Sequence, residues 1–287
     1  MTPLGAEGTT SRSLDPERFF ALARDRTERE RTQTFVAEGT RFVHSALAHG
    51  FPVLGLLHTP ELLSDPSGQK LVRVLKRSGV PACRASVDEF RTLSLLDEPQ
   101  GIAVVVPMRW GSIHAPFRPA RSLWLGLDEI RSAGNLGTML RTACAAGATG
   151  AALLGNAVDS FDPRCVRATM GAVFGLRLAR VDDRDITAWQ RRTGGRVVGA
   201  DGAVSSPCGL RPHSRLRSAK SPSDYRRISY RAPILLMLGC ERRGLSPRQR
   251  ALCDALVSIP MREGIDSLNV AAAAAVLLYE AHRQREP

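Results

Sequence analysis

This sequence contains a series of short, continuous apolar runs separated by segments with helical periodicity, and this pattern leaves few folds open to it. Runs of this kind are typical of strands buried on both faces, and helical segments between them favour a largely parallel sheet. In the rear part of the chain the predicted strands are Ser122–Leu127, Thr149–Leu154, Leu176–Val181, Arg196–Ala200, Pro233–Leu238 and Leu256–Ile259. The pattern predicts the α/β class, and general topological rules lead us to expect an open, Rossmann-like sheet.

A smaller α/β unit is predicted ahead of this sheet, which divides the 287-residue chain into two modest domains. Its strand candidates are Val53–Leu57 and Ile102–Val106, and a helix capped near Asp15 precedes it. Closely spaced prolines and arginines after Val106 predict a stiff, exposed, basic linker. The expected regions are an N-terminal tail and helix (1–30), a front domain (31–107), the linker (108–121) and a rear domain (122–287).

An excess of basic side chains points to a polyanionic partner. The formal net charge is +12 and the pI is near 10.4. All but three of the 40 basic residues are arginine, the better bidentate ligand for phosphate. A GC-rich genome would produce the same arginine bias without any nucleic-acid contact, so the charge favours nucleic-acid binding but does not establish it.

Composition excludes several classes of protein. A hydrophobic content of 43% excludes global disorder. No apolar run approaches the ~18 residues of a membrane-spanning helix, and the first residues lack the pattern of a secretory signal. The six cysteines are scattered without a Cys-x-x-Cys pair, so we expect reduced thiols, a cytoplasmic location and no metal site.

The stretch 203–232 has little periodicity and sets many basic residues against a single acid, Asp224. It is either a solvated loop or a flexible arm that binds phosphates, with Tyr225 and Tyr230 available to stack on bases. Its basic residues are Arg211, Arg215, Arg217, Lys220, Arg226, Arg227 and Arg231.

Three segments of the rear domain are unusual for scaffolding, and the first is 128–142. A predicted strand ends there in polar sequence before a helix begins, and Gly134 and Gly137 allow a close approach of backbone. Asn135 is the expected helix N-cap, and Arg141, six residues later, is expected to return toward the same helix face. A helix N-terminus beside an arginine suits an RNA phosphate, although a lone arginine is more often a surface cation.

The second and third segments also begin where a predicted strand ends. In 236–246, Glu241 lies between two glycines at the carboxyl end of a strand, where open α/β sheets bind ligands; a paired surface acid is the simpler interpretation. In 257–270, a loop leads to Ser267, the expected N-cap of a helix over Val270–Ala281. That helix is apolar almost all round, which predicts burial or close packing on another helix.

Together the three segments resemble the SpoU (TrmH-type) RNA ribose 2′-O-methyltransferases of the SPOUT superfamily. They carry the family's Asn-x-Gly-x-x-x-Arg, Gly-x-Glu-x-x-Gly and Ile-Pro-Met…Ser-Leu-Asn patterns in the same order. The matching residues are Asn135, Gly137 and Arg141, then Gly239, Glu241 and Gly244, and finally Ile259–Met261 and Ser267–Asn269. The front unit, with Glu38–Arg41 before a helix, is similar to the family's substrate-recognition domain.

The resemblance implies a C-terminal trefoil-knotted α/β methyltransferase domain, preceded by a small ribosomal-protein-like α/β domain that recognises RNA. It implies S-adenosylmethionine as the cofactor, held by backbone groups in the knot, no metal, and homodimers formed through the knotted domain. The implied catalytic residues are Asn135, Arg141, Glu241, Ser267 and Asn269. The implied cofactor-binding residues are Leu238, Gly239, Ile259, Met261 and Leu268.

The reaction implied by the resemblance is transfer of a methyl group to a ribose 2′-hydroxyl of structured RNA. We expect 23S rRNA, as in actinobacterial members that protect the ribosome against drugs such as avilamycin or thiostrepton; tRNA guanosine is the alternative. Because an arginine pKa lies above about 12, we expect Arg141 to orient the hydroxyl and its adjacent phosphate rather than act as a free base. The rival classes are a non-catalytic RNA-binding or assembly protein with a relic site, and a nucleotide-dependent oxidoreductase, which the absent Gly-x-Gly-x-x-Gly fingerprint disfavours.

Overall fold

The computed structural model describes residues 15–115, 122–155, 158–201, 222–241, 243–265 and 267–285. The chain divides into two compact units, the first formed by residues up to 43 together with 52–107, the second by 44–51 together with 108–287. Both are α/β, which confirms the predicted class. Over the described ranges no helix is both long and apolar enough to cross a membrane.

The first unit contains a four-stranded sheet with helices around it. In chain order its elements are α1 (Pro16–Arg24), α2 (Arg26–Thr32), β1 (Thr34–Glu38), α3 (Thr40–Ala48, which runs into residues of the second unit), β2 (Gly55–His58), α4 (Pro66–Arg77), β3 (Ala82–Arg84), α5 (Val87–Leu93) and β4 (Ile102–Pro107). The strand order is β1-β4-β2-β3. Strand β4 runs antiparallel to both β1 and β2, whereas β2 and β3 are parallel.

Helix α1 begins where the sequence predicts it. The carboxylate of Asp15 accepts a hydrogen bond from the backbone N–H of Arg18 at 3.0 Å, and proline occupies the first turn. Phe19, Phe20 and Leu22 of this helix are buried in the same core as side chains of β1, β2, β4 and α5. The amino-terminal helix therefore contributes to the hydrophobic core of the first unit.

The second unit is built on a seven-stranded parallel sheet. In chain order its elements are β5 (Leu123–Asp128), α6 (Ala133–Ala145), β6 (Gly150–Leu154), α7 (Pro163–Ala168), α8 (Ala172–Gly175), β7 (Arg177–Arg180), α9 (Asp183–Thr193), β8 (Arg196–Ala200), β9 (Ser223–Asp224), β10 (Ile234–Leu238), α10 (Pro247–Leu252), β11 (Ala255–Ser258) and α11 (Val270–Arg285). All six predicted strands are confirmed, with ends displaced by no more than one residue. Strand β9 was not predicted, because two residues form no apolar run.

The order of these strands departs from the open sheet expected from general rules. The order is β7-β6-β5-β10-β8-β11-β9, so β10 lies between β5 and β8 even though it follows β8 in the chain. A Rossmann sheet would place the first strand after the crossover directly beside β5. The Rossmann-like expectation is therefore wrong, and the trefoil threading implied by the family resemblance stays a prediction.

Residues 108–115 do not form the exposed linker that the sequence predicts. Met108 and Ile113 are buried, Trp110 forms a bridge with Leu178, and the N–H of Gly111 donates to the carbonyl of Leu178 at 2.7 Å. These residues extend the sheet along β7, because their apolar side chains and backbone groups find partners there. Residues 116–121, including Arg118 and Arg121, lie outside the described part.

The end of helix α11 holds the segment that precedes β10. The Arg285 guanidinium donates to the carbonyls of Tyr230, Ala232 and Ser122 at 2.8, 2.7 and 3.2 Å, and Gln284 exchanges hydrogen bonds with the same segment. Tyr230 is fully buried, and its hydroxyl donates to the Tyr225 carbonyl. The prediction that Tyr230 stacks on bases is therefore wrong; residues 202–221 of the basic stretch lie outside the described residues.

Candidate active site

One hydrogen-bonded chain joins the three segments that the sequence singled out. The Glu241 carboxylate accepts from the backbone N–H of Arg131 at 3.3 Å and from the side-chain amide of Asn135 at 3.4 Å. The side-chain oxygen Oδ1 of Asn135 in turn accepts from the side-chain amide of Asn269 at 3.3 Å. The carboxyl ends of parallel strands meet at one edge of a sheet, which is why segments so far apart in sequence meet here.

The two helices at this site are capped by residues other than the expected ones. Ser132, not Asn135, is the N-cap of α6, and its hydroxyl accepts from the N–H of Asn135. Asn269, not Ser267, caps α11: its side-chain oxygen accepts from the N–H of Ala271 at 2.8 Å. The Asn269 side chain is thus oriented by the N-terminus of α11, and the Asn135 side chain is oriented by Glu241. These observations correct the two capping predictions.

Glu241 is held as a carboxylate. Partial burial works to raise its pKa, but hydrogen bonds from its own loop, from Asn135 and from the N–H groups of Arg131 and Ser132 outweigh that effect, so the pKa lies below its ordinary value. Its oxygens are occupied by these donors. This arrangement suits a residue that positions its neighbours, and it does not suit a proton acceptor.

The loop after β10 needs both of its glycines. A Cβ on Gly239 would lie 2.2 Å from the carbonyl oxygen of Gly244, because the loop folds back and the Gly244 N–H donates to the Cys240 carbonyl at 2.8 Å. Gly244 has φ +61°, in the left-handed region that favours glycine. The Gly-x-Glu-x-x-Gly spacing therefore builds a tight turn that aims Glu241 at the start of α6.

Gly137 serves helix packing rather than ligand binding. A Cβ there would lie 2.4 Å from the Cys165 carbonyl oxygen and 2.6 Å from the Ala168 Cβ, so α7 approaches α6 closely only because Gly137 has no side chain. Arg141 follows one turn later on nearly the same face and is exposed. Within the described residues its guanidinium has no ion-pair or hydrogen-bond partner.

The helix geometry corrects the expected relation between Asn135 and Arg141. At about 100° per residue, six residues leave Arg141 roughly 120° around α6 from Asn135. Asn135 faces the hydrogen-bonded chain, whereas Arg141 faces outward beside α7. Ser267, the remaining candidate, is exposed in the loop before α11.

An ion pair beside the site was missed by the sequence interpretation. Asp201, only 8% exposed, directly follows β8 and receives two hydrogen bonds from the Arg250 guanidinium of α10. The Arg250 Nε also donates to the Leu245 carbonyl at 3.2 Å, which ties the loop after β10 to the end of β8. The sequence did contain a signal for this ion pair: Asp201 directly follows a predicted strand, at the edge of the sheet where ligands bind.

Comparison with models of protein families identifies the family to which this chain belongs. The family model "SpoU rRNA Methylase family" matches residues 122–279, more than half of the chain, and the model "MRM3-like substrate binding domain" matches residues 20–104. The chain belongs to the SpoU methylase family. It is an RNA 2′-O-methyltransferase, and its cofactor is S-adenosylmethionine.

Similar proteins match the SpoU-family chain over nearly its whole length. A 23S rRNA (uridine(2479)-2′-O)-methyltransferase of Streptomyces viridochromogenes is 32% identical over 98% of this chain and 93% of its own. A 23S rRNA (guanosine(2553)-2′-O)-methyltransferase of Bacillus subtilis is 27% identical over 88% of this chain and 90% of its own. The AdoMet-bound rRNA methyltransferase structure from Sinorhizobium meliloti has a TM-score of 0.80 at 30% identity, covering 95% of both chains.

The carboxyl ends of β10 and β11 suit the cofactor of the SpoU family. Leu238 is buried, and the Gly244 backbone already fills the position that a Cβ on Gly239 would take, so both residues offer backbone alone. Ile259 and Met261 are half-buried, and Leu268 is 41% exposed although it is large and apolar. Apolar side chains beside loop backbone are typical of sites for a nucleoside, since rings pack on the former and polar edges bond to the latter.

Proposed function

We propose that this enzyme methylates the 2′-hydroxyl of one ribose in 23S rRNA. The observation that carries the proposal is the hydrogen-bonded chain Glu241–Asn135–Asn269, which unites the three family motifs at one edge of the sheet. The two relatives named for 23S rRNA ribose methylation support the choice of substrate. The net charge of +12 favours the same polyanionic substrate.

The proposed division of labour follows from what each residue contacts. When bound, S-adenosylmethionine supplies an electrophilic methyl group on a sulfonium sulfur. Leu238, Gly239, Ile259, Met261 and Leu268 would hold it. Glu241, Asn135 and Asn269 act as positioning residues, because their polar atoms bind one another and the N-termini of two helices.

Arg141 is proposed to contact the RNA itself. Its guanidinium is exposed on α6, and it suits bidentate binding of a phosphate. Since a guanidinium stays protonated, its role is to hold the ribose and the adjacent phosphate in line. When the 2′-oxygen takes the methyl group, the hydroxyl proton would pass to phosphate or solvent, and the electron pair of the broken S–CH₃ bond would stay on the cofactor sulfur. Ser267, which is exposed in the loop before α11, would complete the contact with the ribose.

We also propose that the rear domain is knotted, that the enzyme forms a homodimer through this domain, and that it contributes to drug resistance. Three large apolar side chains near the end of the chain are exposed: Ile265, Leu268 and Tyr279, at 57%, 41% and 50%. Exposed apolar groups of this kind mark association surfaces, which supports a dimer through this domain. Light scattering tests the proposed dimer, since Tyr279→Glu is expected to yield monomers.

A cytoplasmic location stays a prediction.

The activity is tested with the full chain, labelled S-adenosylmethionine, and 23S rRNA or total tRNA from cells that lack the enzyme. We expect methylation of one ribose in 23S rRNA, located by its resistance to alkaline cleavage. Arg141→Ala should abolish turnover and leave cofactor affinity by calorimetry within about twofold of the parent. Methylation of tRNA alone would refute the rRNA assignment, and failure to bind the cofactor would favour a relic site. Growth of cells with and without the gene on avilamycin and thiostrepton tests the resistance role.

A further inference from the structure

A cavity of about 550 Å³ opens at the carboxyl ends of β5, β6 and β7. This volume lies within the range of about 300–1,000 Å³ that is typical of ligand pockets. Leu154 and Val181 supply apolar wall, while charged side chains line the rest, among them Asp128, Arg131 and Arg248. None of these residues belongs to the implied cofactor-binding set.

The cavity adjoins the site at a shared residue. Arg131 lines the cavity, and its backbone N–H donates to the Glu241 carboxylate at 3.3 Å. A group seated in the cavity would therefore lie next to the segment that carries Asn135. A nucleotide of the RNA substrate is the ligand within reach of this position, an argument that rests on the function proposed above.

The charges of the lining select which part of a nucleotide fits. Four carboxylates face two arginines in the lining: Asp128, Glu129, Asp182 and Asp183 against Arg131 and Arg248. An excess of negative charge repels a phosphate. The cavity therefore suits an uncharged part of the nucleotide, and the apolar wall formed by Leu154 and Val181 favours the planar base over the ribose.

Three of the four carboxylates already have partners. Glu129 pairs with Arg243 at 2.8 Å, Asp183 pairs with Arg248, and Asp182 caps helix α9. Asp128 accepts the backbone N–H of Glu129 but has no ion-pair partner within the described ranges. Its pKa is raised, first by burial and then by the charge of Glu129. A donor arriving at this desolvated carboxylate would form a strong hydrogen bond.

We propose that this cavity takes a base that presents a ring N–H beside a carbonyl, namely uracil or guanine. Asp128 accepts the ring N–H, and Leu154 and Val181 contact the ring. Cytosine and adenine present a lone pair where uracil and guanine present the N–H. A carboxylate repels that lone pair, so Asp128 discriminates between the two classes of base.

The test uses two matched pairs of nucleosides that differ at this edge: uridine against cytidine, and inosine against adenosine. Each is titrated into the full chain saturated with S-adenosylmethionine, and the NMR shift of the Gly155 amide, which lines the cavity, reports binding. We expect uridine and inosine to bind at least tenfold more tightly than their partners. Asp128→Asn should reduce that ratio below threefold, because an amide can donate as well as accept, and Asp97→Asn, an exposed carboxylate in the first unit, should leave it unchanged.

The outcomes separate the cavity from the methylation reaction. Equal affinity for all four nucleosides, no binding of any, or unchanged discrimination in a folded Asp128→Asn variant would overturn the proposed base cavity. Urea unfolding of each variant establishes that it is folded. If discrimination is found but no RNA is methylated, the cavity stands and the proposed function fails; if RNA is methylated without discrimination, only the cavity assignment fails.

Discussion

Helix α6 offers a matched pair of glycines whose substitution by alanine should act in opposite directions. Gly137 faces α7, where a Cβ would lie 2.4 Å from the Cys165 carbonyl oxygen and 3.1 Å from the Thr169 N–H nitrogen. Gly134 lies one turn earlier and is exposed, and the nearest atom to a Cβ there is the Ser132 hydroxyl oxygen at 3.8 Å. Both glycines are helical, so the two variants differ mainly in what the new methyl group meets.

The expected magnitudes follow from two opposing effects. Alanine is favoured over glycine in a helix by about 1 kcal/mol, less near the first turn. Overpacking a filled contact costs about 1–3 kcal/mol, and the upper part of that range applies at Gly137 because the obstructing atoms are backbone. We therefore expect Gly137→Ala to lower the free energy of unfolding by roughly 1–2 kcal/mol and Gly134→Ala to raise it by up to about 1 kcal/mol.

Urea unfolding followed by circular dichroism measures both changes, and calorimetry should separate the two variants by roughly 2–12 °C in Tm. Gly137→Ala should also slow methyl transfer, because α6 carries Asn135 and Arg141 and must shift away from α7. A Gly137→Ala variant as stable as the parent would refute the close-packing explanation of this motif glycine. The Gly134→Ala variant controls for helix propensity alone.

The remaining predictions concern a cap, a clamp and a titration. Ser132→Ala removes the α6 N-cap and should lower the free energy of unfolding by about 1 kcal/mol in urea; no change would reject the cap. Arg285→Met keeps the apolar stem but removes three hydrogen bonds to carbonyls, so we expect a loss of roughly 2–4 kcal/mol, and a midpoint like that of the parent would contradict the clamp. Because the folded pKa of Glu241 is lowered, its contribution is present above about pH 4.3 and is lost as the pH falls through the folded value. Urea midpoints from pH 6 to 3 should therefore fall more steeply in the parent than in Glu241→Gln, and parallel curves would count against this contribution.

Strand positions and the first helix cap were predictable because their signals are local. Apolar runs fix where a chain can be buried on both faces, and the six runs of the rear unit became strands with ends shifted by no more than one residue. Asp15 before Pro16 is a local cap signal, and it holds. The motif residues could likewise be placed after strand ends from the sequence.

The capping residues at the site could not be predicted, because each helix start offers two polar candidates. Ser132 and Asn135 compete at α6, and Ser267 and Asn269 compete at α11. Asn135 is engaged by Glu241 at 3.4 Å and by Asn269 at 3.3 Å, which leaves the Ser132 hydroxyl to accept the helix N–H. The outcome depends on a partner more than 100 residues away, which no local pattern contains.

Local burial and backbone geometry dictate which stretches are strands, which turns need glycine, and which polar residues lie at the carboxyl edge of a sheet, so these features can be predicted from the sequence. The folded structure was needed to show that β10 lies between β5 and β8, that Gly137 serves a helix contact, and that Arg141 faces outward beside α7. These features arise from contacts between distant segments, and the free energy of such contacts depends on shapes that form only when the chain is folded.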